Sequence, residues 1–276
     1  MLVSEIVGVV SGRLKEAGIP GPLLDAELLV AHALGVDRQA LLAGRDRPLA
    51  DDEMRRIKRL TVRRERFEPV AYILGRREFY SLDFIVNRHV LIPRPETELL
   101  VDMAIYYAKM NARVVDIGTG SGAVAVAVKH ARRDLEVHAT DISPRALAVA
   151  RKNAARITGK GSVRFHRGDL FEGLGGMRFQ VIAANPPYVD PAAAPTLQRD
   201  LSFEPPVALY AGEEGRETAG RIIDESGDLL DEEGVLIMEM GDDMGNFVRE
   251  SGSCRGYAVS ILNDYSGKPR IAVMKK

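Results

Sequence analysis

The chain has 276 residues, enough for two compact domains, and its composition of 46% hydrophobic and 28% charged residues is typical of a globular protein with a sizeable core. Its 38 Lys and Arg residues nearly balance 39 Asp and Glu, and this net charge of −1 argues against a protein whose affinity depends on many nucleic-acid phosphates. A single cysteine, Cys254, excludes a disulfide framework and a cysteine-based zinc site, and no metal is expected. Because the N-terminus lacks a basic region and no apolar run is long enough to span a membrane, we expect a cytoplasmic protein.

The first part of the chain is predicted to be helical. Apolar residues at helical spacing predict one helix that ends near Gly18, a second over residues 23–34, and a third from Asp51 to Arg66. The third helix carries a basic cluster that contains Arg55, Arg56, Lys58, Arg59, Arg63, Arg64 and Arg66. Such a cluster is most often a solvated helical face, and contact with a protein partner is the alternative.

A short β-hairpin is predicted between Pro69 and Val90, where aromatic and β-branched residues surround Gly75 and Ser81. We therefore expect three parts. Residues 1–68 form a small helical domain, residues 69–95 a hairpin and linker, and residues 96–276 a larger domain.

Strands alternate with helices in the larger domain. Helices are expected over residues 123–131 and 143–157, and the last two strands have the alternation of an antiparallel pair. The predicted strands are residues 113–117, 135–140, 163–166, 180–184, 235–240, 257–262 and 271–274. This order predicts an α/β fold with a doubly wound, mostly parallel, seven-stranded sheet.

A glycine-rich loop follows the first of these strands and leads into a helix. Glycines at alternate positions permit a tight turn close to a ligand, and the helix N-terminus offers free N–H groups. Asp141, at the end of the next strand, can accept hydrogen bonds from both ribose hydroxyls of an adenosine, and Asp169 can accept one from an adenine amine. The loop consists of Gly118, Thr119, Gly120, Ser121 and Gly122.

Two cofactors fit this pattern. For a dinucleotide, Gly118, Gly120 and Ala123 match the phosphate-binding fingerprint only weakly. S-adenosylmethionine has no phosphate but carries an ammonium group, which Asp116 on the preceding strand can attract. The pattern therefore favours S-adenosylmethionine over a dinucleotide, and over a glycine turn that merely packs a helix on a sheet.

The tetrapeptide Asn185-Pro186-Pro187-Tyr188 directly follows the fourth predicted strand. At that position it faces the ligand crevice of an open parallel sheet, and its two prolines stiffen the chain. The Asn185 side-chain oxygen and the Pro186 carbonyl can hold both hydrogens of one NH₂ group, while Tyr188 offers a flat face to a planar group. The motif predicts nitrogen methylation, with adenine, cytosine, guanine and glutamine all open as acceptors. The structural alternative is a proline turn after a strand.

These motifs together resemble the release factor glutamine methyltransferases, the PrmC/HemK family. The resemblance covers roughly residues 66 to 240 and also extends to the helical N-terminal part. It rests on Arg77-Glu78-Phe79-Tyr80, on Leu91 to Glu98, on Asp116 to Gly122, on Asn185 to Tyr188, and on Phe203-Glu204-Pro205 with Ala208-Leu209.

The resemblance implies a class I S-adenosylmethionine-dependent methyltransferase that acts on the glutamine of the GGQ motif in peptide-chain release factors. Residues Gly118 to Gly122, Asp141, Leu170 and Asn185 would contact the cofactor, with S-adenosylhomocysteine as product, and Asn185 to Tyr188 would hold the glutamine. The resemblance also suggests that the helical domain contacts the release factor. We further expect a monomer that needs no nucleic acid.

Several alternatives remain open. The same chemistry would serve a glutamine of a ribosomal protein or a nucleic-acid base amine, and a non-catalytic scaffold or a nicotinamide oxidoreductase would share part of the pattern. The segment that includes Arg94 and Thr97 either folds over the cofactor or forms a linker that ends in a Thr97 helix cap.

Overall fold

The computed structural model describes residues 1–212 and 215–276, which pack into two units. One unit contains Met1–Arg76 and Gln198–Phe203, and the other contains Arg77–Leu197 and Glu204–Lys276. Within the described residues, no helix has both the length and the apolar character needed to cross a lipid bilayer.

The first unit is a cluster of helices around an apolar core that includes Leu14, Leu29 and Ile57. Its helices are α1 (Val3–Glu16), α2 (Pro22–Leu34), α3 (Arg38–Ala43), α4 (Asp51–Glu65) and α5 (Val70–Leu74). Helices α1, α2 and α4 are the three predicted from apolar spacing. Helices α3 and α5 were not predicted, because six and five residues are too few to show a helical period.

The basic cluster on α4 is not uniformly solvated. The Arg64 side chain is only 4% exposed and forms ion pairs with Asp25 at 2.7 Å and with Asp200 at 2.9 Å. Arg63 is paired with Glu68 at 2.6 Å. The interpretation of the cluster as a solvated face is therefore wrong for Arg64. Its buried charge is neutralised by two carboxylates of the same unit.

A two-stranded hairpin opens the second part of the chain, as predicted. Strands β1 (Arg76–Phe79) and β2 (Leu82–Ile85) are joined by Tyr80 and Ser81, whose φ angles of 53° and 56° are those of a two-residue hairpin turn. The buried Asn153 side chain bonds both the N–H and the C=O of Ile85, at 2.8 and 3.0 Å. It also donates to the Ser121 carbonyl at 2.8 Å, and thereby ties the hairpin to the glycine-rich loop.

The described residues of the second unit form a seven-stranded sheet in the order β5-β4-β3-β6-β7-β9-β8. Strand β9 is antiparallel to both of its neighbours, and the remaining pairs are parallel, as predicted. The strands are β3 (Arg113–Ile117), β4 (Glu136–Asp141), β5 (Val163–Arg167), β6 (Phe179–Ala184), β7 (Leu230–Glu239), β8 (Ala258–Asn263) and β9 (Pro269–Lys275).

Helices of this unit precede or connect the strands. Helices α7 and α8 match the prediction, whereas α6, α9, α10 and α11 were missed. The helices are α6 (Glu98–Tyr107), α7 (Ala123–Ala131), α8 (Pro144–Ile157), α9 (Pro206–Leu209), α10 (Glu217–Ser226) and α11 (Gly245–Cys254).

Apolar side chains cover both faces of the sheet. In β6, Val181 and Ala183 belong to one buried cluster while Ile182 and Ala184 belong to the other, because successive side chains of a strand point to opposite faces. The strand order reverses between β3 and β6, so that the chain leaves these two central strands in opposite directions across the sheet. Ligands bind at such a switch point, beside the carboxyl ends of the strands.

Candidate active site

The glycine-rich loop turns sharply between β3 and α7. Gly118, Gly120 and Gly122 have φ angles of 72°, 56° and 82°, which other residues adopt only with strain. A Cβ added at Gly120 would meet no described atom within 4 Å, whereas one at Gly122 would lie 3.1 Å from Cβ of Ala150 on α8. Gly120 therefore leaves room beside the loop, and Gly122 lets two helices pack closely.

The carboxylate of Asp141 holds this loop in place. One oxygen accepts the N–H of Gly120 and the other the N–H of Ser143, both at 2.8 Å. Burial raises the pKa of Asp141, and the two backbone hydrogen bonds oppose that rise. Since each carboxylate oxygen has a second lone pair, Asp141 can still accept two hydroxyl donors from a ligand.

A cavity of about 340 Å³ opens beside Asp141 at the carboxyl ends of the central strands. Asp169 stands at its edge and is paired with Arg221 of α10 at 2.8 Å. Large apolar side chains also line it, and Ile142 and Val207 are 52% and 59% exposed. The predicted site residues that line this cavity are Gly118, Gly120, Asp141, Asp169, Leu170, Asn185, Pro186 and Pro187.

A smaller cavity of about 50 Å³ is lined by the same loop and by the segment before α6. Asp116 is 3% exposed there and accepts hydrogen bonds from the Thr119 hydroxyl at 2.5 Å and the Ala125 N–H at 3.2 Å. Burial raises the pKa of Asp116 to about 7. Thr119 and Ser121 also line this cavity, so it joins a buried carboxyl to two hydroxyl groups.

The tetrapeptide after β6 lies where the two cavities meet. Asn185 lines both of them, together with Gly118 and Gly120. Its side-chain nitrogen donates to the hydroxyl of Thr97 at 3.1 Å. An Asn185 side chain fixed in this way presents its remaining polar groups at the junction of the cavities.

Two predicted site residues are placed differently. Among the described residues that line the cavities, neither Gly122 nor Tyr188 is found. The Tyr188 hydroxyl instead donates a long hydrogen bond of 3.5 Å to Glu239, and burial raises the pKa of Tyr188 to about 12. A direct contact of either residue with a ligand stays a prediction.

The segment before α6 joins the site through buried polar contacts. Arg94 is paired with Glu204 at 2.5 Å, and the other oxygen of Glu204 accepts the Ile92 N–H at 3.0 Å. Arg94 and Thr97 both line the smaller cavity. Thr97 is the N-cap residue of α6, as one of the two interpretations predicted, but within the described part of the chain its side chain makes no capping hydrogen bond to that helix.

Several residues of the site were not predicted from the sequence. Glu239 lies at the end of β7, is 1% exposed and has a pKa that burial raises to about 7. Arg221 and Val207 belong to helices that the apolar spacing did not reveal. The one available signal for Glu239 was an acidic residue at the end of a predicted buried strand, the same signal that identified Asp141.

Comparison with solved structures shows a methyltransferase fold. A methyltransferase from Pyrococcus furiosus matches with a TM-score of 0.55 and 21% identity over 71% of this chain and 89% of that one. The ribosomal protein L11 methylase from Lactobacillus delbrueckii subsp. bulgaricus matches with a TM-score of 0.50 and 20% identity, over 66% and 79%. A family model described as the Methyltransferase small domain matches residues 95–209. Fold and site thus define the class of S-adenosylmethionine-dependent methyltransferases.

Sequence relatives define the family more closely. A release factor glutamine methyltransferase from Neisseria gonorrhoeae is 40% identical over 257 residues, 92% of this chain and 93% of the relative. One from Salmonella typhimurium is 38% identical over 252 residues, 91% of each chain. A model described as the PrmC N-terminal domain matches residues 5–75. The chain belongs to the release factor glutamine methyltransferase family.

Proposed function

We propose that this chain transfers a methyl group from S-adenosylmethionine to the side-chain amide nitrogen of the glutamine in the GGQ motif of peptide-chain release factors. The names of its relatives support the substrate. The observation that carries the chemistry is the position of Asn185, where the two cavities meet. Likeness to the ribosomal protein L11 methylase is one of fold alone, so it does not favour a ribosomal substrate.

The two cavities fit the two parts of the cofactor. The larger one suits adenosine, because Asp141 can accept the ribose hydroxyls while Leu170 and the exposed Ile142 offer apolar surface to the adenine. Asp169 is within the same lining and keeps acceptor capacity beside its ion pair with Arg221. The smaller cavity suits the methionine end, whose ammonium the carboxylate of Asp116 would attract. When bound, S-adenosylmethionine supplies a methyl group activated by its sulfonium.

The chain's own contribution is to hold an unreactive nitrogen in place. An amide nitrogen is a poor nucleophile because its lone pair is delocalised into the carbonyl. If the Asn185 oxygen and the Pro186 carbonyl accept its two hydrogens, they stabilise the positive charge that develops on nitrogen more than they stabilise the ground state. Holding the nitrogen in line with the methyl group would lower the barrier further. The bond from sulfur to the methyl carbon would break as the bond to nitrogen forms, and the nitrogen would then lose one of its two hydrogens as a proton, with S-adenosylhomocysteine as the other product. This mechanism requires no metal and no nucleophilic side chain.

Substrate recognition is proposed for the helical part of the chain. A single glutamine side chain offers too few contacts to distinguish one protein from another. Selection of a folded release factor therefore requires contacts with enzyme surface outside the pocket. Residues 1–68 are the additional domain that we propose for this contact, with residues 69–95 as linker and 96–276 as the catalytic domain. Exposed basic residues of α4, such as Arg55 and Arg59, are candidates for the contact. We propose that the enzyme acts as a monomer and needs no nucleic acid.

One assay tests the proposed function. Labelled S-adenosylmethionine is incubated with unmethylated release factor, and mass mapping locates the label. We expect one methyl group on the glutamine of the GGQ peptide, and none on a release factor in which that glutamine is replaced. Label on ribosomal protein or nucleic acid, with none on the release factor, would reject the proposal.

A further inference from the structure

A buried carboxyl group lies directly beside the catalytic tetrapeptide. Strands β6 and β7 are parallel neighbours, and Ala184 pairs with Met238. The next residues, Asn185 and Glu239, therefore stand side by side at the ends of the two strands. Glu239 is 1% exposed, and one of its oxygens, Oε2, has no hydrogen-bond partner among the residues that the structure describes. A buried acidic group is costly to maintain, and the proposed chemistry gives it no direct role.

Glu239 contacts both ends of the tetrapeptide through hydroxyl groups. The Tyr188 hydroxyl donates to it at 3.5 Å. The Thr97 hydroxyl lies near enough to the carboxyl group of Glu239 to lower its pKa. The same Thr97 oxygen accepts a hydrogen bond from the Asn185 side chain at 3.1 Å. Glu239 thus reaches Asn185 through one intervening hydroxyl.

The direction of these hydrogen bonds follows from the chemistry of the three groups. An ionised carboxylate can only accept, so a Thr97 hydroxyl that bonds to Glu239 donates its single proton to it. The Thr97 oxygen is then available only as an acceptor, and Asn185 must turn its NH₂ toward it. This leaves the Asn185 oxygen as the group that faces away from Thr97. The alternative amide orientation would place two acceptors against each other.

We propose that Glu239 is a positioning residue that fixes the orientation of the Asn185 side-chain amide. This inference rests on the proposed function, in which the Asn185 oxygen accepts a hydrogen from the substrate amide. If the Asn185 amide were turned the other way, its NH₂ group would face the NH₂ group of the substrate. Two donors cannot form a hydrogen bond, so Asn185 would no longer hold the substrate nitrogen. Glu239 does not touch the reacting atoms, and it acts through Thr97.

The charges around Glu239 make this arrangement dependent on pH. Burial raises the pKa of Glu239 to about 7, the positive charge of Arg270 on β9 opposes the rise, and the negative charge of Glu96 adds to it. Below that pH the protonated carboxyl group can donate, and the direction of the Thr97 hydroxyl is no longer fixed. At saturating cofactor, kcat should therefore fall as the pH drops through about 7.

The experiment compares four variants of the full-length enzyme. Glu239→Gln keeps the shape but can donate, Thr97→Val removes the intervening hydroxyl, and Thr97→Ser restores it. Tyr257→Phe is the control, since it removes a buried hydroxyl bonded to Ser226 at 2.8 Å in another part of the same unit. The measurements are kcat on release factor against pH, cofactor affinity by calorimetry, urea unfolding, and the NH₂ signals of Asn185 in a ¹⁵N spectrum.

We expect Glu239→Gln and Thr97→Val to lower kcat at least about tenfold at pH 8, while Thr97→Ser and Tyr257→Phe keep most of it. The Glu239→Gln enzyme should bind cofactor within about twofold of the wild type, lose the fall in kcat below pH 7, and unfold at a urea concentration no lower than the wild type at pH 8. A residue that only stabilised the fold would not combine lower turnover with undiminished stability.

Two outcomes would overturn the inference. One is a Glu239→Gln enzyme with kcat within twofold of the wild type at every pH. The other is an Asn185 NH₂ signal that is the same in wild type and Glu239→Gln. The spectrum does not depend on turnover. If the wild type transferred no methyl group to release factor, the proposed function would fail while the spectrum would still decide the orientation of Asn185.

Discussion

Replacement of Asp141 tests whether the larger cavity holds the ribose of the cofactor. In the structure its two oxygens already accept the N–H groups of Gly120 and Ser143, so Asp141→Ala removes loop contacts as well as ligand contacts. Asp141→Asn keeps the size of the side chain and one acceptor oxygen but loses the charge. Comparison of the two variants separates the ligand contacts from the support of the loop.

The expected magnitude follows from the number of hydrogen bonds lost. A hydrogen bond to a charged group contributes about 1.5–3 kcal/mol, and Asp141 has a free lone pair for each of two ribose hydroxyls. Loss of the charge and of one or both bonds should weaken binding by about 2–4 kcal/mol, which raises the Kd roughly 30-fold to 1,000-fold. Asp141→Ala should also destabilise the free protein by about 1–3 kcal/mol, because two backbone donors lose their acceptor.

Calorimetric titration with S-adenosylmethionine, with urea unfolding of the free protein, measures both effects. The control is Asp134→Asn, since Asp134 precedes the opposite end of β4 and is paired there with Arg132 at 2.7 Å. The Asp134→Asn enzyme should bind cofactor like the wild type, and NAD should bind to none of the four proteins. Folded Asp141→Asn and Asp141→Ala enzymes with a Kd within twofold of the wild type would refute the ribose contact.

Three further predictions concern chemistry, pH and recognition. Asn185→Ala should lower kcat roughly 100-fold with a smaller effect on cofactor affinity, and near wild-type turnover would contradict the proposed mechanism. The pKa of Asp116 is raised to about 7, so the free enzyme must release a proton before Asp116 can attract the ammonium group of the cofactor. The cofactor Kd should therefore rise up to about tenfold for each pH unit below 7. Calorimetry across pH 5–8 checks this, and Asp116→Asn should lack the dependence. Removal of residues 1–68 should spare cofactor binding but slow methylation of intact release factor, whereas neutralising Arg55 and Arg59 should mainly lower the association rate and its salt dependence. A truncated enzyme with the full-length rate would show that the helical domain is not the recognition element.

The raised pKa of Asp116 also predicts the pH dependence of stability for the free enzyme. Its carboxyl group has an ordinary value of 3.8 when unfolded and about 7 when folded, so the folded state binds more protons between these values. The stability that it contributes is present below about pH 4 and is lost as the pH rises to 7. Asp116→Asn should flatten the fall in the urea midpoint over that range.

The sequence by itself determined the local features of the fold, which depend on residues that are close together along the chain. The turns at Gly118 to Gly122 follow from glycine's freedom at positive φ, and the position of Asp141 and Asn185 follows from their place directly after apolar strands. Alternation of strands and helices was enough to predict a parallel sheet. Helix α3 escaped because six residues are too few to show a helical period. Helix α10 was not predicted although Ala219, Ile222 and Ile223 lie at helical spacing and are buried.

Only the tertiary structure decided which distant residues meet. Thr97 and Asn185 are 88 positions apart, and the contact exists because the segment before α6 passes beside the end of β6. Glu239 comes beside Asn185 because β7 is the sheet neighbour of β6, and strand order is set by the packing of the whole domain. In the sequence Arg64 is indistinguishable from the exposed basic residues of α4, and only the fold places Asp25 and Asp200 beside it. Local spacing carries no information on such pairs, since the energy that forms them comes from burial of surfaces far apart in the chain.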